Sequence, residues 1–198
     1  MKKHFGRHGK KGLPAVDDLQ KELKRERYRR RFRRLLRSTV NALIVVAAIA
    51  ALIATLVLPV LQIAGTSMEP SLNDGDIVLL IKTNDLETGD LCAFYYSNKI
   101  LIKRVIATPG DYIWIESDGT VFLNGEPLDE PYVSEKALGE CDVEFPYQVP
   151  ENNYFVMGDH RETSIDSRSS VIGCIAEDQI VGKIFCKFWP LSEFEFIN

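Results

Sequence analysis

The sequence predicts a mainly antiparallel β domain that is preceded by one transmembrane helix. Two observations support this fold class: residues 40–61 form an uncharged apolar run of 22 residues, and from Ile77 onward short β-type runs alternate with turn signals. A chain of 198 residues has room for one domain or two small ones, which excludes a large multidomain enzyme.

The first 37 residues form a basic tail. They contain 15 Lys and Arg residues against 4 Asp and Glu residues, a net charge of +11, whereas residues 38–198 carry a net charge of −15. Such asymmetry indicates a contact with nucleic acid or with a membrane at the basic end. The apolar run that follows favours the membrane and argues against nucleic acid. We expect the tail to be partly disordered, over residues 1–20, and to attract anionic lipid head groups.

Residues 38–61 are predicted to be the transmembrane helix. The uncharged run would form a helix of about 33 Å, enough to cross a hydrocarbon core of about 30 Å. A buried helix of a soluble protein and a cleaved secretory signal are the alternatives, but the apolar stretch of a signal is usually only about 7–15 residues long. Because Lys and Arg are dense before the span and sparse after it, we expect a single-pass cell-membrane protein with its tail in the cytoplasm and residues 62–198 outside.

The outer domain is predicted from seven β-type runs. Asp118-Gly119 and Asn124-Gly125 are strong turn signals between neighbouring runs, and no segment past residue 62 has a helical apolar period over three turns. Residues 111–152 are expected to form a small inserted subdomain. The predicted strands are 77–81, 91–96, 100–106, 112–116, 120–124, 153–157 and 180–189.

The outer domain contains all four cysteines of the chain, which are Cys92, Cys141, Cys174 and Cys186. Outside the membrane they could form two disulfides, with three possible connectivities, and the sequence does not decide between these pairings and free thiols. Cys92 and Cys186 lie within predicted strands, where a buried free thiol is the commoner outcome. No CxxC motif is present and no Cys/His pair has metal-ligand spacing, so we expect no metal site.

Three segments carry residues that could do chemistry. Ser67 stands in GTSMEPSL, shortly after the span and before a proline-fixed turn. Lys103 lies in a β-type run whose alternation puts it on the face opposite to Arg104. Burial would lower the pKa of this lysine and provide a neutral amine near pH 7, which an arginine cannot do. Ser164, in the polar segment GDHRETSIDSR, could orient that amine by a hydrogen bond.

Each of these segments also has a simpler structural interpretation. Most exposed serines have no chemical role, a strand near a sheet edge can carry two snorkelling cations, and Asp166 with Arg168 could be an ordinary ion pair. His160 is the one histidine beyond the tail, so a Ser-His-Asp triad with Asp159 is an alternative. That triad would leave Lys103 without a role.

Taken together, the segments resemble the bacterial type I signal peptidases, the membrane-bound Ser/Lys leader peptidases of peptidase family S26. GTSMEPSL is similar to the nucleophile box of that family, TGDLCAF to the box that follows, LIKRVIATPGD to the lysine box and GDHRETSIDSR to the last box. Their order and spacing, and the anchor before them, match the family over roughly residues 38–190. Four boxes in order make the resemblance highly specific.

The resemblance implies a signal-peptidase-type antiparallel β fold and a role for each matching residue. Ser67 would be the nucleophile, with its backbone N–H in the oxyanion hole, Lys103 the general base and Ser164 the residue that orients the lysine. Some members have a serine where this chain has Gly65, so a side-chain oxyanion donor is missing here. The residues that would brace the loop are Asp159, Asp166 and Arg168, and those that would line the substrate pocket are Ile63, Met68 and Ile102.

The function implied is an endopeptidase that removes amino-terminal signal peptides from exported preproteins. It would cut after a small-x-small (Ala-x-Ala-like) motif through an acyl-enzyme, without a cofactor. Two other functions are weighed against it. A self-cleaving, DNA-bound repressor of the Ser/Lys type is soluble and would have no span, and a non-catalytic membrane-anchored β module that binds peptides would not need both Ser67 and Lys103.

Overall fold

The computed structural model of the chain describes residues 16–57 and 59–197, and the side chains of 20–52 and 59–197. The chain divides into two compact units, residues 1–52 and 53–198. Each unit has its own architecture, helical in the first and β in the second.

One long helix, α1 (Val16–Val57), dominates the amino-terminal unit. No Gly or Pro interrupts these residues, and the basic half consists largely of Arg, Lys, Leu and Glu, which are good helix formers. Arg30 donates a hydrogen bond to Glu26 one turn earlier, at 3.0 Å. Within Gln20–Leu52, α1 has a stretch that is long and apolar enough to cross a membrane, and its side chains are exposed.

The helix differs from the predicted span at both ends. It begins at Val16, inside the segment predicted to be disordered, because nothing in the basic sequence stops a helix; the prediction for residues 1–15 lies outside the described residues. The predicted end at Leu61 is wrong, since α1 ends at Val57 and Leu61 lies in a β-strand. Pro59 has no backbone N–H with which to continue the helical hydrogen bonds.

Two antiparallel sheets build the second unit, which confirms the predicted fold class. The strands of the larger sheet are β1 (Val60–Gln62), β2 (Ile77–Ile81), β3 (Leu91–Tyr96), β4 (Lys99–Ala107), β9 (Asn153–Met157), β10 (Ile175–Ala176), β11 (Ile180–Trp189) and β12 (Glu195–Phe196). Their order is β1-β2-β11-β3-β4-β9-β10, and β12 pairs with β11. The strands of the smaller sheet, in the order β7-β6-β5-β8, are β5 (Tyr112–Ile115), β6 (Val121–Leu123), β7 (Glu126–Pro127) and β8 (Tyr147–Gln148).

All seven predicted strands are present, and the turns between them follow the predicted chemistry. Asn124 and Gly125 both have positive φ, 53° and 88°, as a two-residue hairpin turn requires, and they join Leu123 to its cross-strand partner Glu126. The smaller sheet lies wholly between residues 112 and 148. It packs on the larger sheet through a shared apolar core that contains, among others, Ile106, Phe155, Ile113 and Val121.

Among the described strands of the larger sheet, β1 and part of β4 each have an edge without a partner strand near Ser67. β4 pairs with β3 from Lys99 to Arg104, but with β9 only from Arg104 onward, so one edge of residues 99–103 is open. β1 is a terminal strand of the sheet and pairs only with β2. Gln62 of β1 and residues 100–103 on the open edge of β4 line one small cavity, which is described below.

Candidate active site

Ser67 is held in a tight turn directly after β1. Met68 and Leu72 are buried in a core cluster with residues of β2, β3 and β11, and the Leu72 N–H donates to the Met68 carbonyl at 2.9 Å. Burying two large apolar side chains contributes about 1.5–3 kcal/mol each. Because these two buried side chains anchor the turn, the half-buried side chain of Ser67 has a fixed position.

Lys103 comes from the middle of β4, where its side chain is 4% exposed. Its Nζ lies 2.8 Å from Ser67 Oγ and 2.9 Å from Ser164 Oγ. Burial lowers the pKa of the Lys103 amine to about 8; the carboxylates of Asp166 and Asp159 oppose this change, and Arg168 adds to it. The structure therefore brings together the three residues predicted as nucleophile, base and lysine-orienting residue, with an amine that can lose its proton near neutral pH.

Cys92 is the cross-strand partner of Lys103 on β3, so the two side chains share one face of the sheet. Burial raises the pKa of the Cys92 thiol to about 12. The thiol therefore stays protonated and brings no negative charge next to the lysine. All four cysteines, Cys92, Cys141, Cys174 and Cys186, are free in the structure.

A buried ion pair fixes the loop that carries Ser164. The Arg168 guanidinium donates two hydrogen bonds to Asp166, at 2.9 and 2.8 Å, and both side chains are fully buried. Asp166 also accepts the Gly158 N–H at 2.9 Å, while Arg168 reaches the carbonyl of Ser164 at 3.3 Å. Removing one partner of such a pair costs about 3–5 kcal/mol, because the other charge is left buried and unpaired.

Asp159 lies in the same loop but has a different partner from Asp166. Arg104, on the face of β4 opposite to Lys103, binds it through two hydrogen bonds of 2.8 and 2.6 Å. The Arg104 guanidinium also lies 3.8 Å from the centre of the Tyr132 ring and donates to the carbonyl of Gly89 at 2.8 Å. Two neighbouring residues of β4 thus point to opposite faces: Lys103 places its amine beside Ser67, and Arg104 binds the loop through Asp159.

The segment between β7 and β8 covers this loop. It supplies Glu130, which forms a fully buried ion pair with Arg161, and the carbonyl of Leu138, which accepts a hydrogen bond from Arg168 at 2.6 Å. The inserted segment therefore does more than extend the domain, since it completes the hydrogen bonding of two buried arginines. Sequence reasoning missed the Glu130–Arg161 pair, because its members are 31 residues apart and no local spacing connects them.

The histidine alternative is not assembled in this structure. Among the described residues, the His160 ring contacts the Thr163 hydroxyl, at 3.1 Å, and Asp159 is already bound by Arg104. His160 contacts Ser67 only through its backbone N–H, which donates to the Ser67 carbonyl at 3.1 Å. The Ser-His-Asp triad that the sequence left open therefore lacks both of its hydrogen bonds.

Gly65 has a backbone conformation that explains why no serine stands there. Its φ is +96°, a region in which a residue with a Cβ is strained. Its N–H donates to Asp74 Oδ1 at 2.8 Å, so it is not free to bind a substrate. By contrast, no acceptor within the described residues takes the N–H of Ser67.

A small cavity of ≈ 100 Å³ opens beside Ser67 and Lys103. The residues predicted for the substrate pocket, Ile63, Met68 and Ile102, all line it. Its two walls are residues 62–65, which begin at the last residue of β1, and residues 100–103 of β4. The second wall is the open edge of β4 described above, and an extended peptide could lie between the two walls.

Comparisons with families, curated proteins and solved structures all find signal peptidases. Residues 36–189 match the family described as signal peptidase, peptidase S26. The chain is 40% identical over 154 residues to signal peptidase IB of Staphylococcus aureus strain MRSA252, covering 68% of this chain and 79% of that protein. It is 36% identical over 144 residues to signal peptidase I of Bacillus licheniformis, covering 66% and 76% of the two chains.

Among solved structures, a signal peptidase I from Enterococcus faecalis V583 is similar with a TM-score of 0.41 and 27% identity, covering 50% of this chain and 96% of that chain. The family match extends from within α1 to the last residue of β11 and includes Ser67, Lys103 and Ser164. The chain belongs to the signal peptidase family, peptidase S26, and is a serine endopeptidase.

Proposed function

We propose that the chain cleaves amino-terminal signal peptides from exported preproteins by a Ser67/Lys103 dyad. The observation that carries this proposal is the 2.8 Å approach of the Lys103 amine to Ser67 Oγ in a buried position, where the pKa of the amine is lowered to about 8. At pH 7 about one-tenth of such an amine is neutral. A neutral amine can accept the proton of a serine hydroxyl, whereas an ammonium cannot.

The reaction begins when Lys103 takes the proton of Ser67 and Oγ attacks the scissile carbonyl. The tetrahedral intermediate collapses to an ester with Ser67, and the lysine returns its proton to the leaving amine of the mature protein. Neutral again, Lys103 removes a proton from a water that attacks the ester and releases the signal peptide. Ser164 orients the amine through its hydrogen bond of 2.9 Å.

The negative charge that develops on the carbonyl oxygen requires hydrogen-bond donors. The Ser67 N–H is suited to this role, because it belongs to the nucleophile itself and has no acceptor within the described residues. Asp159, Asp166 and Arg168 support the site indirectly: they fix the loop that carries Ser164.

The small cavity supports a cut after a small-x-small motif. A peptide strand between the open edges of β1 and β4 would point every second side chain to the same face. The residues at −1 and −3 would then both enter the cavity lined by Ile63, Met68 and Ile102. Its volume of ≈ 100 Å³ favours alanine-sized side chains at both positions.

The charge pattern of α1 supports a single-pass anchor in the cell membrane. Its first part is rich in Lys and Arg and its last part is uncharged, so the positive-inside rule puts the amino terminus in the cytoplasm and the β unit outside. The basic part would contact anionic lipids. Protease added to intact spheroplasts should therefore digest residues 62–198 but leave the basic tail intact.

The dyad is tested by the processing of a preprotein with an Ala-x-Ala site, using the full chain in detergent. Ser67→Ala and Lys103→Ala should each lower the cleavage rate by at least about 1000-fold, while His160→Asn should retain cleavage. Full cleavage by either dyad variant would reject the mechanism. Loss of cleavage in His160→Asn alone would revive the histidine triad, and binding of the preprotein by the wild-type chain without cleavage would favour a non-catalytic binding module.

A further inference from the structure

A second cavity opens beside Lys103. It has a volume of ≈ 570 Å³, against ≈ 100 Å³ for the first. Leu101 and Lys103 line both cavities, whereas Ile100 and Ile102 line only the small one and Lys99 only the large one. Since alternate residues of a strand point to opposite faces, the two cavities lie mainly on opposite faces of β4.

A substrate strand on the open edge of β4 would follow the same alternation. If the residues at −1 and −3 point into the small cavity, the residue at −2 points to the face of Lys99, Leu101 and Lys103, where the large cavity lies. We propose that the large cavity binds the middle residue of the small-x-small motif and selects a large apolar side chain there. This inference rests on the proposed function and names a specificity of the same site.

The lining of the large cavity fits an apolar side chain. Ile165 and Val171 are 48% and 64% exposed although both are large and apolar, and they stand in the cavity together with Leu101 and Ile172. The phenol of Tyr96 donates its hydrogen bond to the Val171 carbonyl at 2.6 Å, so its polar atom is already satisfied. A bound leucine would remove these exposed surfaces from water, which is favourable in proportion to the apolar area covered.

The charges in the lining could instead favour an acidic residue at −2, and the same experiment can detect such a preference. Lys103 in the lining already binds Ser67 and Ser164 through its amine. Lys99, the first residue of β4, is the second cation in the lining, and an acidic residue at −2 could pair with Lys99. Lys99 is exposed, however, and exposed ion pairs contribute little. Apolar contact should therefore decide the selectivity at −2.

The test uses the full chain in detergent and three peptides that differ only at −2, with Ala, Leu or Glu between two alanines. The wild-type enzyme should cleave the Leu peptide with a kcat/KM about tenfold above that of the Ala peptide, and the Glu peptide no better than the Ala peptide. In the double variant Ile165→Ser/Val171→Ser, the Leu/Ala ratio should fall to about 1. Because the ratio compares two substrates on one enzyme, a general loss of active protein cancels.

Trp114→Ser is the matched control, because Trp114 is also an exposed apolar residue (46% exposed) but lines neither cavity. It should retain the wild-type Leu/Ala ratio. The double variant should also keep the wild-type preference for Ala over Gly at −1, since that residue enters the other cavity.

Three results would overturn the inference: a Leu/Ala ratio of 1 in the wild type, a wild-type ratio that survives in the double variant, or a preference for Glu. A different result would reject the proposed function: cleavage of any of the three peptides by the Ser67→Ala variant. The −2 selectivity and the dyad can therefore be rejected independently.

Discussion

Gly158 lies directly against the main chain of Ser67: a Cβ added at residue 158 would stand 2.5 Å from the Ser67 carbonyl oxygen and would also collide with Ser164 Oγ. The N–H of Gly158 donates to Asp166 at 2.9 Å, and its carbonyl accepts from Arg161 at 3.1 Å. Both polar groups of this residue are therefore fixed by buried side chains. The close approach of the turn that carries Ser67 to the loop that carries Ser164 therefore requires a residue without a side chain at position 158.

Gly158→Ala should lower kcat by about 100-fold, because a displacement of about 1 Å between catalytic groups has that effect. The measurement is the single-turnover cleavage rate of a preprotein. Gly173→Ala is the control: its φ of +64°, a conformation that Gly158 does not share, makes alanine strained there, but a Cβ would meet nothing within 4 Å, so cleavage should stay within about twofold of wild type. Equal losses in both variants would show that the loss does not depend on the contact with Ser67.

The pH dependence of kcat/KM should follow the deprotonation of Lys103. Since burial lowers the pKa of this amine to about 8, activity should rise with pH through a midpoint near 8, and at pH 6 it should be about 100-fold below the alkaline plateau. Lys103→Arg should be inactive throughout, because arginine stays protonated. A flat profile between pH 6 and 9 would contradict the neutral-amine base.

Ser164→Ala should lower kcat by about 10- to 100-fold and leave KM nearly unchanged. The Lys103 amine loses one of its two hydrogen-bond partners in this variant, while the substrate cavity stays intact. Ser169→Ala, a change of another buried serine in the same loop, should retain kcat. Kinetics with a fluorogenic peptide separate the two constants. If both variants lost kcat equally, Ser164 would act by packing and not by orienting the lysine.

Lys103→Met should stabilise the fold below pH 8. The pKa of Lys103 falls from 10.5 to about 8 on folding, because burial disfavours the charged amine. Below pH 8 this lowers the free energy of unfolding by about 3 kcal/mol. For the wild type this cost is complete below pH 8 and disappears as the pH rises to about 10.5. Unfolding in detergent at pH 7 and pH 10.5 should therefore show a stabilisation of the variant that is large at the first pH and absent at the second.

The fold was predictable where the sequence has clear periods and turns. Runs such as Ile77–Ile81 and Asn153–Met157 are predicted with the boundaries that the structure has, because β-branched and aromatic residues fill them and turn residues bound them. β7 and β8 were missed, since a strand of two residues has no period to detect. The extent of α1 was missed because charged residues that look like a solvated tail are also good helix formers.

The site was predictable only in part, for a related reason. Ser67 and Lys103 stand in recognisable segments, but their contact joins residues that are 36 positions apart and depends on where β4 lies. Asp159 was predicted to brace the loop, yet its partner Arg104 lies 55 positions away and no spacing rule connects them. Gly158 stands in a predicted loop, where glycine is ordinary, so only the structure reveals that its missing side chain matters.

The open edges of β1 and β4 have a consequence for the enzyme between turnovers. Unpaired strand edges are the surfaces through which sheets of different molecules associate. A substrate strand that binds as proposed would cover both edges only while it is bound, so the enzyme without substrate would be the form most exposed to edge-to-edge association. The open edges are short, three residues in β1 and residues 99–103 in β4, which limits this association. A peptide inhibitor that stays bound between the two edges would suppress aggregation as well as catalysis.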